Sequence, residues 1–244
     1  MKQIAPILFL VVITTISACK LTQKAQETIT YTDDSSMNNG HPMQFDLIKG
    51  EGFNHPTYAI WLENMDGDYI KTIFITQSYA SGIFGHEMVG DSVWLKTTGA
   101  SYQPAALPYW TYKKGLIDGV QLIPTPDHPF VDGYTGATVQ QDFQFNTSSI
   151  NVQEPYRILL EVNQPWDWNK FWNNGKYPDS EAYKHSAQPS IIYAVMINTE
   201  ESLYYFNPIG HGDPKGESGK LFTNLTTMTS AKEIFKYISV KLHH

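Results

Sequence analysis

The stretch Asp132-Gly-Tyr-Thr-Gly-Ala-Thr138 places one carboxylate and two hydroxyls around a Gly-Ala pair. A hydroxyl can act as nucleophile or acceptor, and a nearby carboxylate can serve as base or ligand. By position the stretch is also a strand-entry turn. It follows a loop crowded with proline and precedes the alternation of Val139 to Phe145.

Other chemistry-bearing residues show little patterning. Histidines stand at 41, 55, 86, 128, 185, 211, 243 and 244, with no His-x-His, His-x3-His or His-Glu-x-x-His spacing, so no metal site is expected. His211, in Gly-His-Gly-Asp-Pro, reads as a solvated turn residue. Asn64-Met-Asp-Gly-Asp68 spaces its carboxylates like a calcium loop but lacks the flanking helices and the closing Glu, and Asp-Gly is a common hairpin turn. There is no Gly-x-Ser-x-Gly elbow, P-loop or dinucleotide fingerprint, and no carboxylate pair stands out for acid–base hydrolysis. No catalytic residue is nominated.

The aromatic run Trp166-Asp-Trp-Asn-Lys-Phe-Trp172 has two readings. Its rings either plug the end of a sandwich, or Trp166, Trp168 and Trp172 form an aromatic binding surface that stacks on sugars or on a flavin ring.

The 244-residue chain opens on Met1-Lys2, an apolar run from Ile4 to Ile16, and Ser17-Ala18-Cys19. That run is too short to span a bilayer comfortably and has the length of a signal-peptide core. Ile16-Ser-Ala-Cys19 resembles a bacterial lipobox, which implies lipid attachment at Cys19, the only cysteine. The expected division is a lipoprotein signal over 1–18, a polar tether over 19–42 and one domain over 43–244. Acylation would leave no thiol for a disulfide or metal. A net charge of -7 and a single arginine, Arg157, argue against nucleic-acid binding. Membrane contact would come through the N-terminal lipid.

The elements that must position these residues read as strands. Tyr58 to Glu63 and Tyr69 to Thr76 form a hairpin around the Asn64–Asp68 turn. Phe143 and Phe145 share one face of a strand; Ile158, Leu160 and Val162 share a face of another. Ser190 to Ile197 is apolar on both faces, as in a central strand. Thr28 to Thr32 could pair at an edge. Ser230-Ala-Lys-Glu233 has capping-box spacing for one helical turn, and Tyr237 to Leu242 alternates as the last strand. Long amphipathic helices are absent, and 14 prolines and 17 glycines punctuate the chain. The expectation is an all-β, antiparallel, immunoglobulin-like β-sandwich with long loops and at most short helical turns. The longest loops are expected between Trp94 and Phe130.

Asp132 through Thr138 resembles the Asp-x-x-Ser/Thr-Gly-Ala-Thr motif of flavinylated bacterial proteins. In those, a flavin transferase joins FMN to the last Thr, here Thr138. The resemblance implies Thr138 as acceptor, Asp132 to orient it or hold a metal during transfer, Gly136 for close approach and positive φ, and Ala137 for room, with Thr135 also among the cofactor-binding residues. Where those proteins carry a further hydroxyl residue, this chain has Val139-Gln140. Together with Tyr58-Ala-Ile-Trp-Leu-Glu63, Asp66-Gly67, Lys71-Thr72, Leu107-Pro-Tyr-Trp110 and Gln188-Pro-Ser-Ile-Ile-Tyr193, the motif resembles a family of uncharacterised exported bacterial proteins with immunoglobulin-like sandwiches. Such proteins are often found beside flavin transferases and membrane redox proteins. The resemblance implies a non-catalytic, lipid-anchored accessory or electron carrier on the periplasmic or surface face of the cell envelope. The alternative is a non-catalytic glycan- or protein-binding module.

Overall fold

Strand β3 (Thr57–Glu63) is buried at every one of its residues, so both faces of the sheet that contains it must be covered. That sheet has six strands, numbered along the chain. Its order is β14 (Asn207–His211), β12 (Ile191–Ile197), β11 (Tyr156–Asn163), β3, β4 (Tyr69–Thr76), β9 (Tyr134–Gly136). A five-stranded sheet packs against one face, in the order β1 (Glu27–Tyr31), β10 (Phe143–Thr147), β2 (Met43–Lys49), β15 (Phe235–Leu242), β13 (Leu203–Tyr205). The protein is thus an all-β sandwich. The two sheets are antiparallel except at two edge pairs, β1 with β10 and β4 with β9. The computed structural model describes residues 27–31, 41–89, 93–136, 141–147, 152, 155–198 and 201–243.

Period-two alternation builds the interior between the sheets. Met43, Phe45 and Leu47 of β2 point inward, as do Phe143 and Phe145 of β10. They meet Tyr58, Ile60, Leu62, Ile158, Leu160 and Val162 from the larger sheet. Phe74 stands at the centre, with ring centroids 5.2 Å from Tyr58, 5.4 Å from Phe143 and 5.2 Å from Phe145. Truncating such a ring to Ala removes packing worth about 3–5 kcal/mol.

The outer face of the six-stranded sheet is buried under the irregular middle of the chain. Ala59, Trp61, Ile75, Leu159 and Ile192 pack there beneath α1 (Gln77–Ser81), α2 (Pro108–Lys114) and the loop ending at Phe130. This third layer also carries two short ribbons, β5 (Ile83–Phe84) with β8 (Gly99–Ala100) and β6 (Glu87–Val89) with β7 (Val93–Leu95). A third helix, α3 (Glu181–Ser186), and a 3-10 turn at Ser230–Glu233 complete the elements. Among the described residues no helix is long and apolar enough to cross a membrane.

Two buried carboxylates tie the third layer to the sheet. Pro108 opens α2, where its fixed φ suits a first turn and its missing N–H costs nothing. The next two N–H groups, of Tyr109 and Trp110, donate to Glu161 Oε1 at 3.1 Å and Oε2 at 2.6 Å. Ser190 Oγ donates to the same carboxylate at 2.5 Å. Burial pushes Glu161 up to about 7, against the pull of these three bonds. Glu63 accepts from Trp61 Nε1 at 3.0 Å and from Arg157 at 2.7 Å, with Lys113 3.6 Å away.

The sequence-level hairpin is present. Asn64 N–H donates to Asp68 O, Gly67 N–H to Asn64 O, and Gly67 takes the positive φ of 88° that the turn needs. Residues 27–31 of the polar segment pair at the sheet edge. His211 departs from expectation. It ends β14 and is only 6% exposed, stacked on Phe222 at 5.2 Å with Trp172 at 5.8 Å. The Gly/Pro residues around it made a turn of what is a strand end packed into aromatics.

Candidate functional site

The motif strand β9 occupies the outer edge of the six-stranded sheet. It runs parallel to β4, with Phe74 opposite Tyr134, Ile75 opposite Thr135 and Thr76 opposite Gly136. Asp132 and Thr135 are exposed, Tyr134 is half-buried and Gly136 is buried. Tyr134 lies over the core edge, 5.4 Å from the Phe145 ring and 5.7 Å from Phe74. Ala137 and Thr138 lie outside the described residues, as does Cys19.

Gly136 has a packing role of its own. A Cβ there would sit 3.0 Å from Phe74 Cε2 and 3.1 Å from Tyr134 Cε1, too close without displacement. Close approach therefore accounts for this glycine. Positive φ does not, because Gly136 is not among the residues that adopt it. Asp132 makes its field felt at Tyr69, whose hydroxyl is held above the usual range first by burial and in part by that carboxylate.

The three tryptophans do not share one surface. Trp172 is 4% exposed and packs beside Tyr183 and His211. Trp168 is half-exposed and meets Tyr183 edge-on at 5.8 Å. Trp166 turns toward a different part of the molecule. One ring of the run is thus in the core and two stand at the surface.

Trp166 forms one wall of a cavity of about 340 Å³ at the ends of the inner strands β3, β4 and β11, beside the third layer. His55, His86, Gln103 and His185 also line it, with Ser78 of α1 beside the end of β4. The His86 and His185 rings stand at 90° and 77° to the indole, with centroids 5.6 and 5.1 Å away. Burial lowers His185 to about 4, so its imidazole is neutral near pH 7. Among the described residues no histidine or carboxylate cluster is arranged to hold a metal.

Backbone strain concentrates here. Four described non-glycine residues have positive φ: His55 (56°), Asp118 (51°), Trp166 (55°) and Ala187 (64°). Two of them line the cavity and Ala187 follows His185 by two residues. Each such conformation costs about 1–3 kcal/mol and persists only where surrounding contacts over-determine it. Trp166 N–H donates to His185 O at 2.7 Å, and Asp167 bridges to Ala187. Sequence spacing could not reveal this cavity, because its histidines come from two distant loops and helix α3.

A second, more open groove of about 430 Å³ is bounded by Phe171, Trp172, Lys176, Tyr177 and Phe222. Lys176 Nζ sits 3.5 Å from the Phe171 ring centre, a cation–π contact.

No family model matches the chain, and neither a curated protein nor a solved structure does so.

Proposed function

We propose that this protein is a non-catalytic lipoprotein of the bacterial cell envelope, lipid-anchored at Cys19, that carries FMN on Thr138 as part of an extracytoplasmic flavin-linked electron-transfer system. The observation that carries the reading is the exposure of Asp132, just before edge strand β9, and of Thr135 on it, within the same motif as Thr138. A flavin transferase needs an acceptor segment it can reach, and an edge strand offers free backbone and side chains on its outer side.

In the attachment step the Thr138 hydroxyl oxygen forms a phosphoester bond to the FMN phosphorus of a flavin dinucleotide. The pyrophosphate bond breaks, AMP leaves, and the hydroxyl proton passes to a base of the transferase. Asp132 and Thr135 of the same motif are exposed and offer polar groups to the transferase. FMN held in this way supplies reversible electron transfer, and its partners would be membrane redox proteins. The test is co-expression with a flavin transferase, followed by in-gel flavin fluorescence and the mass of the Thr138 peptide.

A second reading rests on the open groove, where Phe171 is 47% exposed beside Lys176 and Tyr177. An exposed ring flanked by polar groups suits a sugar face, so the alternative is a glycan-binding module. Glycan-array binding lost in Phe171→Ala and kept in Trp168→Ala would favour it.

A further inference from the structure

We infer that the open groove bounded by Phe171, Lys176 and Phe222 binds an acidic saccharide, a chain of hexuronic acid units, with Lys176 selecting the carboxylate. The inference rests on the glycan reading of this groove and adds to it the charge of the ligand. It does not depend on whether Thr138 carries FMN.

The walls of the groove are fixed by hydrogen bonds of their own. Asn169 Oδ1 accepts from the N–H groups of Phe171 at 2.9 Å and Trp172 at 2.7 Å. Asn169 Nδ2 donates to Thr227 O at 2.9 Å and to Thr229 Oγ1 at 3.0 Å. Trp172 Nε1 donates to Thr227 Oγ1 at 3.2 Å, and Lys176 N–H to Asn173 O at 3.0 Å. His211 and Phe222, which also line the groove, exchange backbone hydrogen bonds at 2.8 and 2.9 Å, with their rings stacked at 12°. Phe171 and Phe222 are thus held in place while still exposed. Side chains fixed in this way lose little freedom on binding, and an aromatic face accepts the C–H face of a sugar ring.

Polar atoms suited to sugar hydroxyls stand around these rings. His211 Nδ1–H donates to Gly212 O at 2.8 Å, which leaves Nε2 as the acceptor of the neutral ring. Burial holds His211 below its usual value, against the Gly212 bond and the Asp213 charge, so the ring is neutral near pH 7. Asn224 Oδ1 accepts from Thr226. Among the described residues Asn224 Nδ2 and the Tyr177 hydroxyl have no hydrogen-bond partner. A hydroxyl both donates and accepts, so it can use each of these groups.

Lys176 sets the charge. Its Nζ lies 3.5 Å from the Phe171 ring centre, 4.8 Å from Trp172 and 5.9 Å from Tyr177. Among the described residues that ammonium makes no hydrogen bond and no ion pair. Asp213 also lines the groove, but its oxygens accept from Lys215 N–H at 2.9 Å and Ser218 Oγ at 2.6 Å. The Lys215 ammonium pairs with Glu217 at 2.7 Å. An ammonium with its donors free beside exposed rings fits a carboxylate carried on a sugar ring, and charge-assisted hydrogen bonds are the stronger kind. The chain as a whole carries a net charge of -7, so net charge does not draw a polyanion to it. The attraction has to be local.

The test uses the full-length protein and trisaccharides of galacturonate, glucuronate and mannuronate, each beside its methyl ester. The ester keeps the ring and removes the charge. Titration calorimetry compares wild type with Lys176→Met, Phe171→Ala and Lys170→Met, the last being an exposed lysine that does not line the groove.

The inference expects a uronate to bind about tenfold tighter than its ester. Lys176→Met should erase that preference and keep ester binding, Phe171→Ala should weaken acid and ester alike, and Lys170→Met should change neither. If Phe171→Ala fails to fold, Lys176→Met decides alone. A preference for the ester, or a preference for the acid that survives Lys176→Met, overturns the inference and leaves the glycan reading standing. The same holds if Lys170→Met removes the preference as fully as Lys176→Met. Binding to none of these saccharides, with neutral glycans bound on an array, overturns the inference alone. A blank array as well overturns the glycan reading with it.

Discussion

Thr76 and Gly136 face each other in parallel register at the outer edge of the six-stranded sheet. The pairing depends on a residue without a side chain, because a Cβ at 136 would press on Phe74 and Tyr134. Gly136→Val is expected to destabilise the protein by about 1–3 kcal/mol. The loss should appear as a lower urea midpoint with an unchanged slope. An unaltered midpoint would mean that β9 can shift at no cost, so packing does not hold its register.

Glu161 and His185 make stability depend on pH in opposite senses. Glu161 is raised by burial from 4.5 to about 7, so the native state holds the extra proton. Its contribution is full below 4.5 and is lost as pH rises toward about 7. His185 is lowered by burial from 6.5 to about 4, so the unfolded state binds the extra proton. Its contribution is full above 6.5 and is lost as pH falls toward about 4. Relative to wild type, Glu161→Gln should therefore gain a stability that rises with pH across this window, and His185→Asn one that falls. Urea midpoints measured across the window check both. Parallel pH profiles for all three proteins would contradict the assignment.

Arg157 closes the ion pair to a fully buried Glu63. Removing one partner of such a pair strands a buried charge, at about 3–5 kcal/mol. Because Lys113 remains 3.6 Å from Glu63, Arg157→Met is expected near the lower end. Adding Glu63→Met should recover much of the loss. A double variant no more stable than Arg157→Met would show that the arginine acts through packing instead.

Among the tryptophans, Trp172→Ala should cost about 3–5 kcal/mol, as for a buried ring, while Trp168→Ala should cost far less. Equal thermal midpoints for the two variants would contradict the burial of Trp172.

The sandwich was legible because its strands alternate cleanly. Met43, Phe45 and Leu47 in β2, and Phe143 and Phe145 in β10, each put one residue in two into the same interior. The third layer was not legible. Its helices are 5 to 7 residues long, too short to establish a period of 3.6 residues. The clue that existed was Trp61 and Leu159, large apolar residues on the faces of β3 and β11 opposite the sandwich core. Glu161 shows why it was missed. A carboxylate on that face looks like a solvent-facing residue until α2 arrives to donate two N–H groups to it. The candidate site divides in the same way. Asp132 to Thr138 could be read from its order, whereas the cavity gathers His55, His86, Trp166 and His185 by tertiary packing that no spacing encodes.

The most direct test of the account is the mass of one peptide. Trypsin cuts after Lys114 and Arg157 and releases residues 115–157 intact, with Thr138 inside. Protein purified from cells with an active flavin transferase is expected to yield this peptide with one added FMN, localised to Thr138 by fragmentation and absent from Thr138→Ala. An unmodified peptide, from cells in which a known acceptor is flavinylated, would contradict the central claim.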